Sequence, residues 1–267
     1  MPYWVRLCAA PISLAGLLLA GLVGCGGGGG GGSSAPPAPV VDASPGGIWT
    51  GTVSYSTAEA YETVGVVTEA GFYRFVDEQA QQLFGVMNVT GTTVSGEGNW
   101  VLPIGSMTAA GSNSGTSTIS GTVVERSRLT GSFTSTGEQG DTFSGTFSFV
   151  YDVLYERDSS LATVSGTYLS EDEVLTIDSQ GKLFSQDPIS DCVLNGLVSI
   201  IDGRYNAYNL GFEVANCSGE EAILNGLDFN GLAVLDNSDP LEDVLVAQAD
   251  ATFLDGYLVV TALYFKQ

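Results

Sequence analysis

From Ile48 onward, apolar and polar residues alternate with a period of two in short runs separated by Gly, Asn, Asp and Ser, as half-buried strands require. "IWTGTVSY" puts Trp49, Gly51, Val53 and Tyr55 on one face and mostly polar residues on the other. "TISGTVV" does the same with Ile119, Gly121 and Val123, "RLTGSFT" with Leu129, Gly131 and Phe133, and "TFSGTFSFV" with Phe143, Gly145, Phe147 and Phe149. Such strands are antiparallel and wet on one side. Helical periodicity is confined to one short stretch, "DVLYERDSSLA" at 152–162.

A glycine sits on the inward face of many of these runs, as in Leu83-Gly85-Met87, Val164-Gly166-Tyr168 and Leu194-Gly196-Val198. Glycine weakens a strand, so the repetition needs a cause. Either the glycines let strands coil tightly enough to close a small barrel, or the missing side chains leave a cavity at its waist. The chain also repeats itself: "VVTEAGFYRFVDEQAQQLFGVMNV" (66–89) and "LTIDSQGKLFSQDPISDCVLNGLVSI" (175–200) share an order of strand, acidic-Gly turn, aromatic strand, polar loop and glycine-bearing strand. The expected fold is therefore all-β. It comprises two consecutive antiparallel up-and-down barrel-like modules of about eight strands each, over 47–158 and 159–267. A single sandwich or larger barrel is the alternative. "YLVVTALYF" (257–265) and "CVLNGLVSII" (192–201) are apolar on both faces and call for a cover, the other module first, a partner protein or homodimer second.

Ahead of the strands, Arg6 and an apolar run from Leu7 to Leu22 read as a secretory signal over 1–24, the run being short for a membrane span. It ends in Leu22-Val23-Gly24-Cys25, which resembles the lipobox of bacterial lipoproteins. The resemblance implies cleavage before Cys25, diacylglycerol on its sulfur and an acylated amino group, enough chains for stable membrane anchoring. A Gly/Ser/Pro-rich tract through residue 46 then reads as a disordered tether. By resemblance to enterobacterial sorting, Gly26 rather than Asp after the cysteine implies the outer membrane. In such an oxidising compartment Cys192 and Cys217 are expected to form a disulfide. The strand region loosely resembles the lipocalin-like barrels of envelope lipoproteins, including those of the transferrin-binding type. That resemblance implies fold and location only.

Composition removes several functions. With 30 acidic and 8 basic residues among 267, a formal charge of −22, the chain is unsuited to nucleic acid. It holds no histidine, hence neither the commonest general base nor the commonest metal ligand. No nucleophile elbow or nucleotide-binding glycine motif occurs, so neither an enzyme nor a cofactor is expected. Two acidic stretches remain, "SEDE" (170–173) and "LDNSDPLED" (235–243). The latter's Asp236, Asp239, Glu242 and Asp243 are of the type that binds calcium but lack the spacing of an EF-hand. Tyr205 and Tyr208, near a predicted turn, are candidates for a barrel rim. The expected function is a non-catalytic binding or structural module of the envelope, anchored in the membrane through Cys25. The alternative is a carrier of a small apolar ligand inside a barrel, and the discriminating feature is a cavity of at least about 300 Å³.

Overall fold

A computed structural model describes residues 41–267 apart from 57–58, 104, 171–172, 188–189, 240–241 and 254–255. The signal sequence, the lipobox with Cys25 and most of the tether lie outside the described residues. Val41–Gln267 form one compact unit that contains all the described core, so this unit can fold by itself.

The unit is two closed antiparallel barrels of eight strands each, every strand paired with its neighbours in sequence. The first runs β1 (Gly47–Tyr55), β2 (Ala60–Val67), β3 (Phe72–Asp77), β4 (Gln82–Thr90), β5 (Thr93–Val101), β6 (Ser114–Val124), β7 (Arg128–Gly137) and β8 (Thr142–Asp152). The second runs β9 (Gly166–Ser170), β10 (Glu173–Ile177), β11 (Lys182–Gln186), β12 (Val193–Ile200), β13 (Tyr208–Ala215), β14 (Leu227–Asp239), β15 (Glu242–Phe253) and β16 (Gly256–Lys266). The expected two barrels are thus present, and the sandwich is not. The single helix expected over 152–162 is instead two short turns, a 3-10 turn at Val153–Glu156 and α1 (Leu161–Val164). Asp152 caps the first and Ser160 the second, each accepting a hydrogen bond from a backbone N–H of its own turn. Val164, expected on a strand with Gly166, belongs to α1.

The internal repeat is structural. In the first barrel Thr68 O accepts from Gly71 N (2.9 Å), and Gly71 O accepts from Met87 N (2.8 Å). In the second, Asp178 O accepts from Gly181 N (2.9 Å), and Gly181 O from Val198 N (2.8 Å). Both glycines are left-handed, with φ of 84° and 83°. A Cβ would meet the oxygen of Met87 at 2.1 Å or of Val198 at 2.2 Å, so both positions demand glycine twice over. Strands β2–β4 therefore correspond to β10–β12.

The first barrel is filled. Trp49, Tyr55, Tyr73, Phe75, Trp100, Phe133, Phe143, Phe147 and Phe149 point inward, and the inward glycines make room for them. A Cβ on Gly65 would strike the Phe75 ring, on Gly131 that of Phe147, on Gly145 that of Phe133 and on Gly115 the Trp100 indole. Phe75 stacks on Phe149 at 4.9 Å and Phe149 on Phe147 at 5.5 Å, contacts that add to the burial itself. Only about 50 Å³ of interior stays empty. Here the glycines serve close packing and leave no waist cavity.

One carboxylate is enclosed in that interior. Asp77 Oδ1 accepts from the backbone N–H of Gln79 (2.9 Å) and Gln81 (3.0 Å). Burial still raises its pKa from 3.8 to about 6, against those two hydrogen bonds. A raised folded-state value means stability present below about pH 4 and lost as pH rises through about 6. Asp77→Asn, which keeps the acceptor, should stabilise the protein by about 2–3 kcal/mol at pH 8 and flatten the wild-type decline between pH 4 and 6. Urea unfolding of both forms across pH checks this; parallel pH profiles would refute it.

The barrels meet through β1, β2 and the 3-10 turn on one side and β14 and the 201–207 turn on the other, burying Ile48, Val66, Leu154, Tyr155, Ala207 and Leu232 together. Asn206 spans the junction, donating to Leu154 O (3.3 Å) and Leu235 O (2.8 Å) and accepting from Leu235 N (3.1 Å). Nearby, Arg74 of β3 pairs with Asp250 of β15, donates to Asn230 O (2.7 Å) and lies over the Phe84 ring (4.9 Å).

Candidate ligand cavity in the second barrel

The second barrel is hollow. Its cavity measures about 550 Å³, above the lower size of ligand pockets. The inward residues of three adjacent strands explain it. Ala247 and Ala249 on β15 and Ala262 on β16 line the cavity, and the register Ala233↔Ala247↔Ala262 makes one row of small residues that continues onto β14. Opposite them stand Leu175, Leu183, Leu194, Leu210, Phe212 and Val214, with Phe212 stacked on Phe229 at 5.0 Å. One end is solid: Val164 of α1, Tyr168, Ile177, Val198 and Tyr208 are fully buried, and the Tyr168 hydroxyl donates to Val164 O at 2.6 Å.

The other end is open and carries the disulfide. Cys192 and Cys217 are bonded and flank the β12–β13 pair at Val193↔Ala215. Asp191 and Asn216, the residues immediately before them, both take left-handed φ (59° and 61°), a conformation Asp and Asn tolerate. The bond pins the β13–β14 loop, whose 3-10 segment Gly219–Leu224 supplies Glu221 and Leu224 to the cavity lining. On the side, the wall is low. Among the described residues β16 pairs with β9 only at Phe265↔Leu169 and Lys266↔Tyr168. Val260, although inward, is consequently 38% exposed.

Among the described residues the charged ones lining the cavity are Glu173, Asp187 and Glu221, and Glu173 is the one carried on a strand. Glu173 begins β10, on the same face as Leu175 and Ile177. It accepts from Ser185 Oγ (2.5 Å) and Tyr264 Oη (2.7 Å). Burial, and then the neighbouring Glu173, push the Tyr264 hydroxyl well above its ordinary pKa, so it remains a donor. Asp187, which accepts from Ser190 Oγ at 2.5 Å, and Glu221 also line the cavity. No Lys or Arg does so among the described residues.

Of the residues singled out from sequence, Cys192 and Glu173 of the 170–173 acidic stretch line the cavity and the others fall elsewhere. Asp236 and Asp243 lie at the β14–β15 hairpin, where Asp236 accepts from Ser238 N (2.9 Å) and Asp243 pairs with Lys266 at 3.7 Å. The side chains of Asp239 and Glu242 lie outside the described ones, and among the described residues no group of three or more candidate ligands could hold a metal. Tyr208 is core, not rim, and Tyr205 lies at the barrel junction, stacked on Tyr155 at 4.9 Å beneath Arg126 and Arg204. The second apolar face of β16 is covered in part by the first barrel, through Phe84 on Tyr257 (5.5 Å) and Gln82 Nε2 donating to Thr261 Oγ1 (2.7 Å). That of β12 is not covered: Leu197 is 50% exposed. Arg74 and the alanine row carry no sequence mark; Glu173 is marked only as the end of the acidic stretch 170–173, although the alternation Glu173-Leu175-Ile177 places its carboxylate on an apolar face in the sequence itself.

No family model matches the chain, and no curated protein matches it. Among solved structures it is similar to a "putative outer membrane protein" from Bacteroides fragilis NCTC 9343, at 15% identity over 83% of this chain and 97% of that one. The TM-score is 0.29, a superposition too loose to carry an argument.

Proposed function

We propose that this chain is an outer-membrane lipoprotein, held by acylated Cys25, whose second barrel carries a small, largely apolar ligand and performs no catalysis. The observation that supports carriage is the contrast between the barrels: about 550 Å³ of open, mostly apolar space in the second against about 50 Å³ in the first. The anchor rests on the lipobox. A binding-module reading has its own observation. Leu169, Val174, Phe184, Leu197 and Phe265 are exposed on the outer face of β9–β12 and β16, with Phe265, Leu169 and Val174 side by side.

The test of carriage uses residues 26–267, which contain the compact unit and leave out Cys25. The neutral fluorophore N-phenyl-1-naphthylamine should bind with enhanced emission. Ala247→Trp, which places an indole in the alanine row, should weaken that binding by about tenfold or more while leaving the melting temperature near wild type. An emission gain unchanged by Ala247→Trp, or no binding by the wild type, would remove the carrier reading and turn attention to the outer apolar row.

A further inference from the structure

The geometry points to a ligand with an apolar tail and a cationic, hydrogen-bond-donating head, a long-chain amine in chemical class, with the head at Glu173. This rests on the carrier reading and adds the head group to it. The cavity supplies the site, and Glu173 supplies the selection. Its carboxylate is directed inward by strand alternation and fixed by Ser185 and Tyr264, so no side-chain freedom is lost when a ligand arrives. A carboxylate offers about four lone-pair sites, of which these two hydroxyls use two. The remaining sites face a cavity whose charged lining residues are Glu173, Asp187 and Glu221, all acidic. A fatty carboxylate would bring a further anion among them, and its head would have no cation to meet. An ammonium would neutralise charge and donate up to three hydrogen bonds. Position agrees with this chemistry. Glu173 stands at the top of the short wall formed by β9 and β10, where the cavity meets solvent, while Leu175, Leu183, Leu210, Phe229 and Leu245 lie deeper as a tail would require.

Dodecylamine, dodecanol and dodecanoate, each below its micelle concentration, should be competed against N-phenyl-1-naphthylamine on residues 26–267. The amine is expected to bind at least about tenfold more tightly than the alcohol, and the alcohol more tightly than the carboxylate. Glu173→Gln removes the charge but keeps the shape: its carbonyl oxygen accepts from one of Ser185 and Tyr264, and its amide N–H donates to the hydroxyl oxygen of the other. The variant should bring the amine to within about threefold of the alcohol, both affinities being measured by competition against the fluorophore's own affinity for the same variant. Asp77→Asn, in the other barrel, should leave the ranking intact. Equal affinities for all three ligands, or an amine preference that survives Glu173→Gln, would overturn the head-group assignment with the carrier reading still standing. Failure of the fluorophore and of all three ligands to bind would overturn both.

Discussion

Replacing Arg74 by methionine should destabilise the protein by about 3–5 kcal/mol, the cost of leaving a buried charge without its partner. Arg74 and Asp250 are only 10% and 17% exposed, so water does not compensate either one. The guanidinium is itself poorly placed: burial lowers its pKa against the pull of Asp250, and its Nη1 finds no partner. A pair of this kind contributes little beyond what apolar residues of similar size would. Asp250→Leu alone should therefore cost a similar amount, and the Arg74→Met/Asp250→Leu double variant should recover most of it. Trp49 and Trp100 both lie in the first barrel, so tryptophan fluorescence in urea follows that barrel while far-ultraviolet dichroism follows both. In the single variants the two transitions should separate; in wild type they should coincide. Single variants within about 1 kcal/mol of wild type would mean that the pair behaves as a solvated surface bridge.

Removing the disulfide should cost about 3 kcal/mol, because the bond closes a loop across a separation of 25 residues in the unfolded chain. The loss should fall on the second barrel. Cys192→Ser/Cys217→Ser is expected to lower the dichroism midpoint while tryptophan emission, which reports the first barrel, moves little. The bond also pins the loop that carries Leu224 and Glu221 over the open end, so the double variant should release a bound fluorophore faster. A midpoint shift equivalent to less than about 1 kcal/mol would show that β12–β13 pairing already restricts this loop in the unfolded ensemble.

The strands, their number and their duplication were legible because period-two alternation and turn chemistry are local properties. The disulfide was legible because compartment and cysteine number left one pair. The cavity was not, for a geometric reason. Ala247, Ala249 and Ala262 are unremarkable in their own strands and become one wall of a void only when register sets them side by side. The choice between the two readings of the inward glycines was not legible for the complementary reason: Gly131 and Gly145 are small in sequence, but rings from neighbouring strands fill the space beside them. The Arg74–Asp250 pair joins residues 176 apart, and no local pattern marks it. The helix expected over 152–162 failed at Arg157 and Asp158, where the chain leaves its first turn before Ser160 starts the second.

The low wall of the second barrel has a consequence for its neighbour. From Gly256 to Leu263, β16 has β15 on one side and, among the described residues, no paired strand on the other. Such a row of free donors and acceptors invites another chain to add itself as a strand. The first barrel lies against this same strand through Phe84 and Gln82, obstructing one approach to it. The filled first barrel thus shields part of an open strand edge that closing the hollow second barrel leaves behind.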